Sequence, residues 1–134
     1  MSVPEHLWRF PTSDARVSLA ARFNLQYTDK MQDWEYEVSD LNRISEFLTS
    51  YKADELTDDE KFSLMEIIIQ SFADLNKELT NDLRWQDTIH VIINNLDTHI
   101  YTVWYWSGFE EQHEYYCVSR HMKEIRDSSR EKYA

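Results

Sequence analysis

Five histidines are spread along the chain, and two of them follow a carboxylate at the spacing that puts two metal ligands on one helix face. These pairs are Asp87-x-x-His90 and Glu110-x-x-His113. A di-iron site in a helix bundle needs this pattern twice, together with two further carboxylates. The second pair follows Gly108 in a predicted loop, where helical spacing has no meaning. We therefore predict no metal ligands and no cofactor.

Arg84 and His90 are separated by five residues on one predicted helix, an Arg-x5-His pattern. It resembles the motif of the HEPN-type ribonucleases, in which the arginine and the histidine act together on RNA at a dimer interface. The net charge of −11 argues against this activity, because RNA binding depends on phosphate neutralisation by Lys and Arg. A metal-dependent or HEPN-like hydrolase that uses Arg84, His90, His99 or His113 stays open as the enzymatic alternative.

The glycine and cysteine counts exclude several other classes of site. One glycine in 134 residues leaves no Gly-rich loop to cradle a phosphate and no nucleophile elbow. Cys117 is the only cysteine, which excludes an intramolecular disulfide and a zinc site built from cysteines. We interpret Cys117 as a small buried apolar residue, and the sequence predicts no catalytic residues.

The negative charge is concentrated in one quarter of the chain. Residues 29–60 hold eleven acids and three bases, a net charge of −8. Such a field speeds the encounter with a basic partner and repels nucleic acid and anionic lipid. The partner-binding candidates on this surface are Asp33, Glu35, Glu37, Asp54, Glu55, Asp58 and Asp59.

Aromatic residues are concentrated in a second segment, residues 101–116. It contains Tyr101, Trp104, Tyr105, Trp106, Phe109, Tyr115 and Tyr116. One helix face is too narrow to bury all of them. Either they pack under an N-terminal arm through Trp8 and Phe10, or they are partly exposed as a protein-binding hot spot. Tyr101 and Tyr105 are the anchor candidates in the second case.

Hydrophobic periodicity predicts the helices that position these residues. Apolar residues recur at helical spacing over 13–23, 31–38, 40–51, 58–79, 82–106 and 119–132. The strongest local signal is the capping box at Thr57 and Glu60, which precedes the most apolar stretch. The helix over 58–79 is therefore predicted to be central and the most buried.

The fold class follows from these elements. We predict a mainly α protein, a compact bundle of five or six helices in a single domain over 1–134 with an extended N-terminal arm at 1–11. The alternative is α+β with a small hairpin around 98–119, because HIYTVWYW and HEYYCVS are rich in β-branched and aromatic residues. The absence of a long apolar run and of a signal peptide predicts a cytoplasmic protein that does not enter the membrane.

Three segments, MQDWEYEV, LTDDEKFSLMEIIIQSF and HIYTVWYWS, together resemble a group of short bacterial proteins of unassigned function. The resemblance spans roughly residues 23–125 and supplies no catalytic residues. In size and acidity the chain is also similar to bacterial immunity proteins, which bind and neutralise a toxin. We therefore expect a non-enzymatic module that binds a basic protein, most concretely an immunity-type inhibitor. A further alternative is an acidic nucleic-acid mimic.

Overall fold

The computed structural model describes residues 3–111 and 116–134, and of Glu110 and Glu111 it describes the backbone alone. In this part of the chain there are seven α-helices, one 3-10 turn at Glu5–Leu7 and no strand. The helices are α1 Ser13–Phe23, α2 Trp34–Glu37, α3 Ile44–Ala53, α4 Asp58–Leu75, α5 Leu83–Asn94, α6 Leu96–Glu111 and α7 Ser119–Ser129. The mainly α prediction is confirmed.

The alternative hairpin around 98–119 is wrong, because α6 occupies 96–111 and residues 116–118 form a turn. Residues 113–115 of the strand-like stretch lie outside the described residues. A helix of 16 residues satisfies most backbone hydrogen bonds of this aromatic stretch internally, whereas an isolated hairpin is marginal.

The chain divides into two compact units. The central unit is Phe10–Leu75, and the terminal unit combines Met1–Arg9 with Asn76–Ala134. The single domain over 1–134 stays a prediction.

In the central unit, α4 is the helix against which α1, α2 and α3 all pack. Its apolar side chains are buried on most of its circumference, and Ile67, Ile68 and Phe72 are fully buried. The predicted capping box is present at its start. The Thr57 amide donates to Glu60 Oε1 at 2.9 Å, and the Glu60 amide donates to Thr57 Oγ1 at 3.1 Å.

α4 ends at Leu75, four residues before the predicted end. The reason is Asn76, whose φ of 49° lies in the left-handed region and stops the helix. Leu79, the last residue of the predicted stripe, is nevertheless buried beyond the helix end.

In the terminal unit, α6 packs mainly on α7 and also contacts α5. The predicted helix over 82–106 is divided here into α5 and α6, because Asn95 leaves the helical conformation (φ −127°, ψ 38°). The N-cap of α5 is Asp82, whose carboxylate accepts from the amides of Arg84 and Trp85.

The N-terminal arm contains the 3-10 turn, and its apolar residues differ in exposure. Leu7, in the 3-10 turn, is buried, while Trp8 and Phe10 are 52% and 64% exposed. The Trp8 indole N–H donates to the carbonyl of Val3 at 2.9 Å, so the ring is held against its own arm.

Replacing Ile68 with alanine is expected to lower the free energy of unfolding by about 2–5 kcal/mol, because it removes a fully buried side chain and leaves a cavity. Denaturant titration measures the change. Ile93→Ala is the matched control, since Ile93 is 53% exposed, and it should change the free energy by less than about 1 kcal/mol. Equal effects would contradict the central position of α4.

Candidate functional site

The candidate site is a surface groove of the central unit with a cavity volume of about 450 Å³. It lies along the segment before α2 and along α2 itself. Its lining consists of Thr28, Lys30, Met31, Gln32, Asp33, Tyr36 and Glu37. Two of the predicted acidic residues, Asp33 and Glu37, are therefore brought together in one groove.

The short helix α2 divides its four residues between the core and the groove. Trp34 is fully buried, and its indole N–H donates to the carbonyl of Gln26 at 2.7 Å. Glu35, the next residue, is also buried. Tyr36 and Glu37 point outward, and the Tyr36 side chain is 64% exposed.

Glu35 was predicted to be part of the charged surface, and this prediction is wrong: it is 6% exposed. It is buried because Arg16 of α1 holds both of its carboxylate oxygens, with Nε–Oε2 at 3.0 Å and Nη2–Oε1 at 2.7 Å. The same guanidinium donates to the carbonyls of Met31 and Gln32, at 3.2 and 3.0 Å. One side chain therefore fixes both α2 and the wall of the groove.

Glu66 of α4 stands in the field of this ion pair. Burial, and secondly the charge of Glu35, raise the pKa of Glu66 to about 8, against the opposing effect of Arg16. Glu66 is therefore mostly protonated at neutral pH. A neutral carboxyl group therefore lies near the ion pair of Arg16 and Glu35.

The other predicted acids of the central unit lie around the start of α4. Asp54 is exposed, and its carboxylate binds Arg22 at 2.8 Å and accepts a short hydrogen bond from Ser50. Glu55 and Asp58 are exposed, and Asp59 is partly exposed. Among the described residues, Asp33, Glu37, Glu55 and Asp58 form no salt bridge. These four carboxylates are the available negative charge of the predicted set.

The two predicted tyrosines lie on α6 in the terminal unit. Tyr105 is 45% exposed, Tyr101 is partly buried, and their rings stack with centroids 6.3 Å apart. Phe109 continues the row at 5.3 Å from Tyr105. Trp104 and Trp106 are buried, whereas Tyr105 and Tyr116 are exposed, so the aromatic segment is partly exposed.

Sequence reasoning missed Tyr36 and Arg16. The signal for Tyr36 is its position two residues after an inward Trp34 and between Glu35 and Glu37, which predicts an outward ring. The partner of Glu35 lies 19 residues away, and no local pattern identifies it.

The described residues of the enzymatic alternative differ in burial and in contacts. His90 is exposed, His99 is fully buried, and Arg84 forms an ion pair with Asp82 at 3.1 Å. Glu110 and His113 lie outside the described side chains. Within residues 3–109 and 116–134, no three His, Cys, Asp or Glu side chains are grouped to hold a metal ion.

Two further features concern the thiol of Cys117 and the length of the helices. Cys117 is only partly buried, and burial raises the pKa of its thiol. No helix in the described part of the chain is both long enough and apolar enough to cross a bilayer.

Comparison of the chain with protein families, with curated proteins and with solved structures finds no match.

Replacing Arg16 with methionine is expected to lower the free energy of unfolding by about 3–5 kcal/mol, because it leaves the Glu35 carboxylate buried without its partner. Adding Glu35→Gln should restore part of the loss. Denaturant titration of the two single variants and the double variant measures the coupling. A double variant whose loss equals the sum of both single losses would show that the ion pair is not coupled.

Replacing Glu66 with glutamine is expected to flatten the pH dependence of stability. The pKa of Glu66 is raised in the folded chain, so its stabilising contribution is complete below its ordinary value of 4.5 and is lost as pH rises through about 8. Between these values the wild-type free energy of unfolding should fall relative to Glu66→Gln, with a slope approaching about 1.4 kcal/mol per pH unit. Urea titrations at several pH values measure it, with the exposed Glu55→Gln as control. Parallel curves for the wild type and Glu66→Gln would refute the shift.

Proposed function

We propose that this chain is a non-enzymatic binding module for a basic protein. The observation that carries the proposal is Tyr36, whose ring is 64% exposed in a groove that also contains Asp33 and Glu37. Tyrosine is a typical anchor of protein interfaces, since its rigid ring gives a large contact area and a hydroxyl group. Its neighbouring carboxylates select a cationic partner.

The charge of the central unit supports this proposal. The unit contains 14 acids and six bases, a net charge of −8. Three of the six bases, Arg16, Arg22 and Arg43, are held in ion pairs with acids of the same unit. The excess carboxylates produce a long-range negative field, which accelerates association with a basic surface.

The most concrete form of the proposal is an immunity-type inhibitor that acts in the cytoplasm on a basic toxin or enzyme domain. Its support is the likeness in size and acidity to immunity proteins, together with the acidic groove. In this form the exposed acids steer the encounter and Tyr36 anchors the complex. Tyr101 and Tyr105 are candidates for a second aromatic contact.

The test is affinity capture from the native host with the full chain as bait, at low salt and at about 0.5 M salt, where charges are screened beyond about 4 Å. We expect one basic protein in stoichiometric amount, retained at low salt and lost at high salt. Tyr36→Ala should weaken the complex by about tenfold or more. The purified partner then allows the association rate to be measured against salt.

The matched control is the double variant Glu55→Gln and Asp58→Asn, which removes two exposed carboxylates outside the groove lining. It should slow association and leave dissociation unchanged, because the field weakens while the anchor remains. A captured protein that is acidic, or that binds Tyr36→Ala as well as wild type at both salt concentrations, would contradict the proposal.

A further inference from the structure

The groove has a defined chemistry that narrows the group it binds. Its lining includes the exposed Tyr36 side chain and two exposed acidic residues, Asp33 and Glu37. Asp33 occupies the N-cap position of α2, yet its side chain makes no capping hydrogen bond. Its carboxylate is therefore not engaged by the backbone of α2.

We propose that the groove binds the guanidinium group of a single arginine side chain of the partner, an inference that rests on the proposed function. A guanidinium group is planar, so it stacks on the Tyr36 ring, and its N–H fork pairs with carboxylate oxygens at the same time. A lysine ammonium group is a hydrated point charge and does not combine both contacts. The arrangement of one ring with Asp33 and Glu37 thus favours arginine over lysine.

The groove is rigid because Arg16 holds the backbone that lines it, and this rigidity also supports the proposal. The Arg16 guanidinium binds Glu35, next to Tyr36, and the carbonyls of Met31 and Gln32, which line the groove. Trp34, the first residue of α2, is fully buried in the core. Arg16 is therefore a positioning residue: it holds the walls at a fixed separation without touching the ligand, and a preformed groove loses less entropy on binding.

Lys30 is the only cation among the described lining residues, and it opposes the binding of a second cation. It is exposed and forms no salt bridge with a described residue. Replacing Lys30 is therefore expected to improve the binding of arginine. A variant whose fold is merely damaged would not show such a gain.

The experiment is an NMR titration of the ¹⁵N-labelled full chain with N-acetyl-arginine methylamide, and separately with the lysine analogue. We expect saturable amide shifts confined to residues 28–37, with the lysine analogue bound at least about threefold more weakly. Tyr36→Ala, and separately Asp33→Asn with Glu37→Gln, should each reduce arginine affinity by about 3- to 10-fold. Lys30→Gln should increase it.

The control is Trp8→Ala, which removes a half-exposed aromatic ring of the terminal unit and should leave arginine affinity unchanged. Shifts spread over all the acids, or equal affinity for the arginine and lysine analogues, would overturn the assignment. An unaltered affinity in Tyr36→Ala would do the same. If the groove fails these tests but a basic protein is still captured in a salt-dependent way, the proposed function stands. If the groove binds arginine but no basic protein is captured, only the proposed function is refuted.

Discussion

The central unit depends on one guanidinium group, that of Arg16. It binds both oxygens of Glu35 and two backbone carbonyls, and so joins α1 to α2 and to the segment before α2. A helix of four residues has almost no stability of its own, because nucleation is unfavourable and few hydrogen bonds follow. The ion pair, with the burial of Trp34, supplies the tertiary contacts that hold α2 in place.

This arrangement places charged groups beside an apolar core. α4 buries isoleucines and Phe72 on most of its circumference, and α1, α2 and α3 pack against it. Two carboxyl groups, those of Glu35 and Glu66, then lie close to one guanidinium group. Desolvation favours the neutral form of Glu66, and this raises the pKa of its carboxyl group. The outward surface keeps the remaining negative charge.

Local patterns predicted much of the fold. Thr57 and Glu60 form the expected capping box, Thr12 caps α1 through the amide of Ala15, and the apolar period located α4. Two predicted helix boundaries were wrong, each because of the backbone conformation of one asparagine. The positive φ of Asn76 shortened α4, and the conformation of Asn95 divided one predicted helix into two. Both depend on a single backbone conformation that hydrophobic spacing does not report.

The sequence by itself determined the helical class, the position of the most buried helix and the concentration of acids in residues 29–60. Periodicity, capping and composition are properties of residues near one another in the chain, so no folding is needed to see them. Only the tertiary structure decided that Glu35 is buried, that Asp33 and Glu37 share a groove and that Tyr36 is exposed there. Those outcomes depend on Arg16, which lies 19 residues before Glu35 and reaches it only when α1 and α2 both pack against α4.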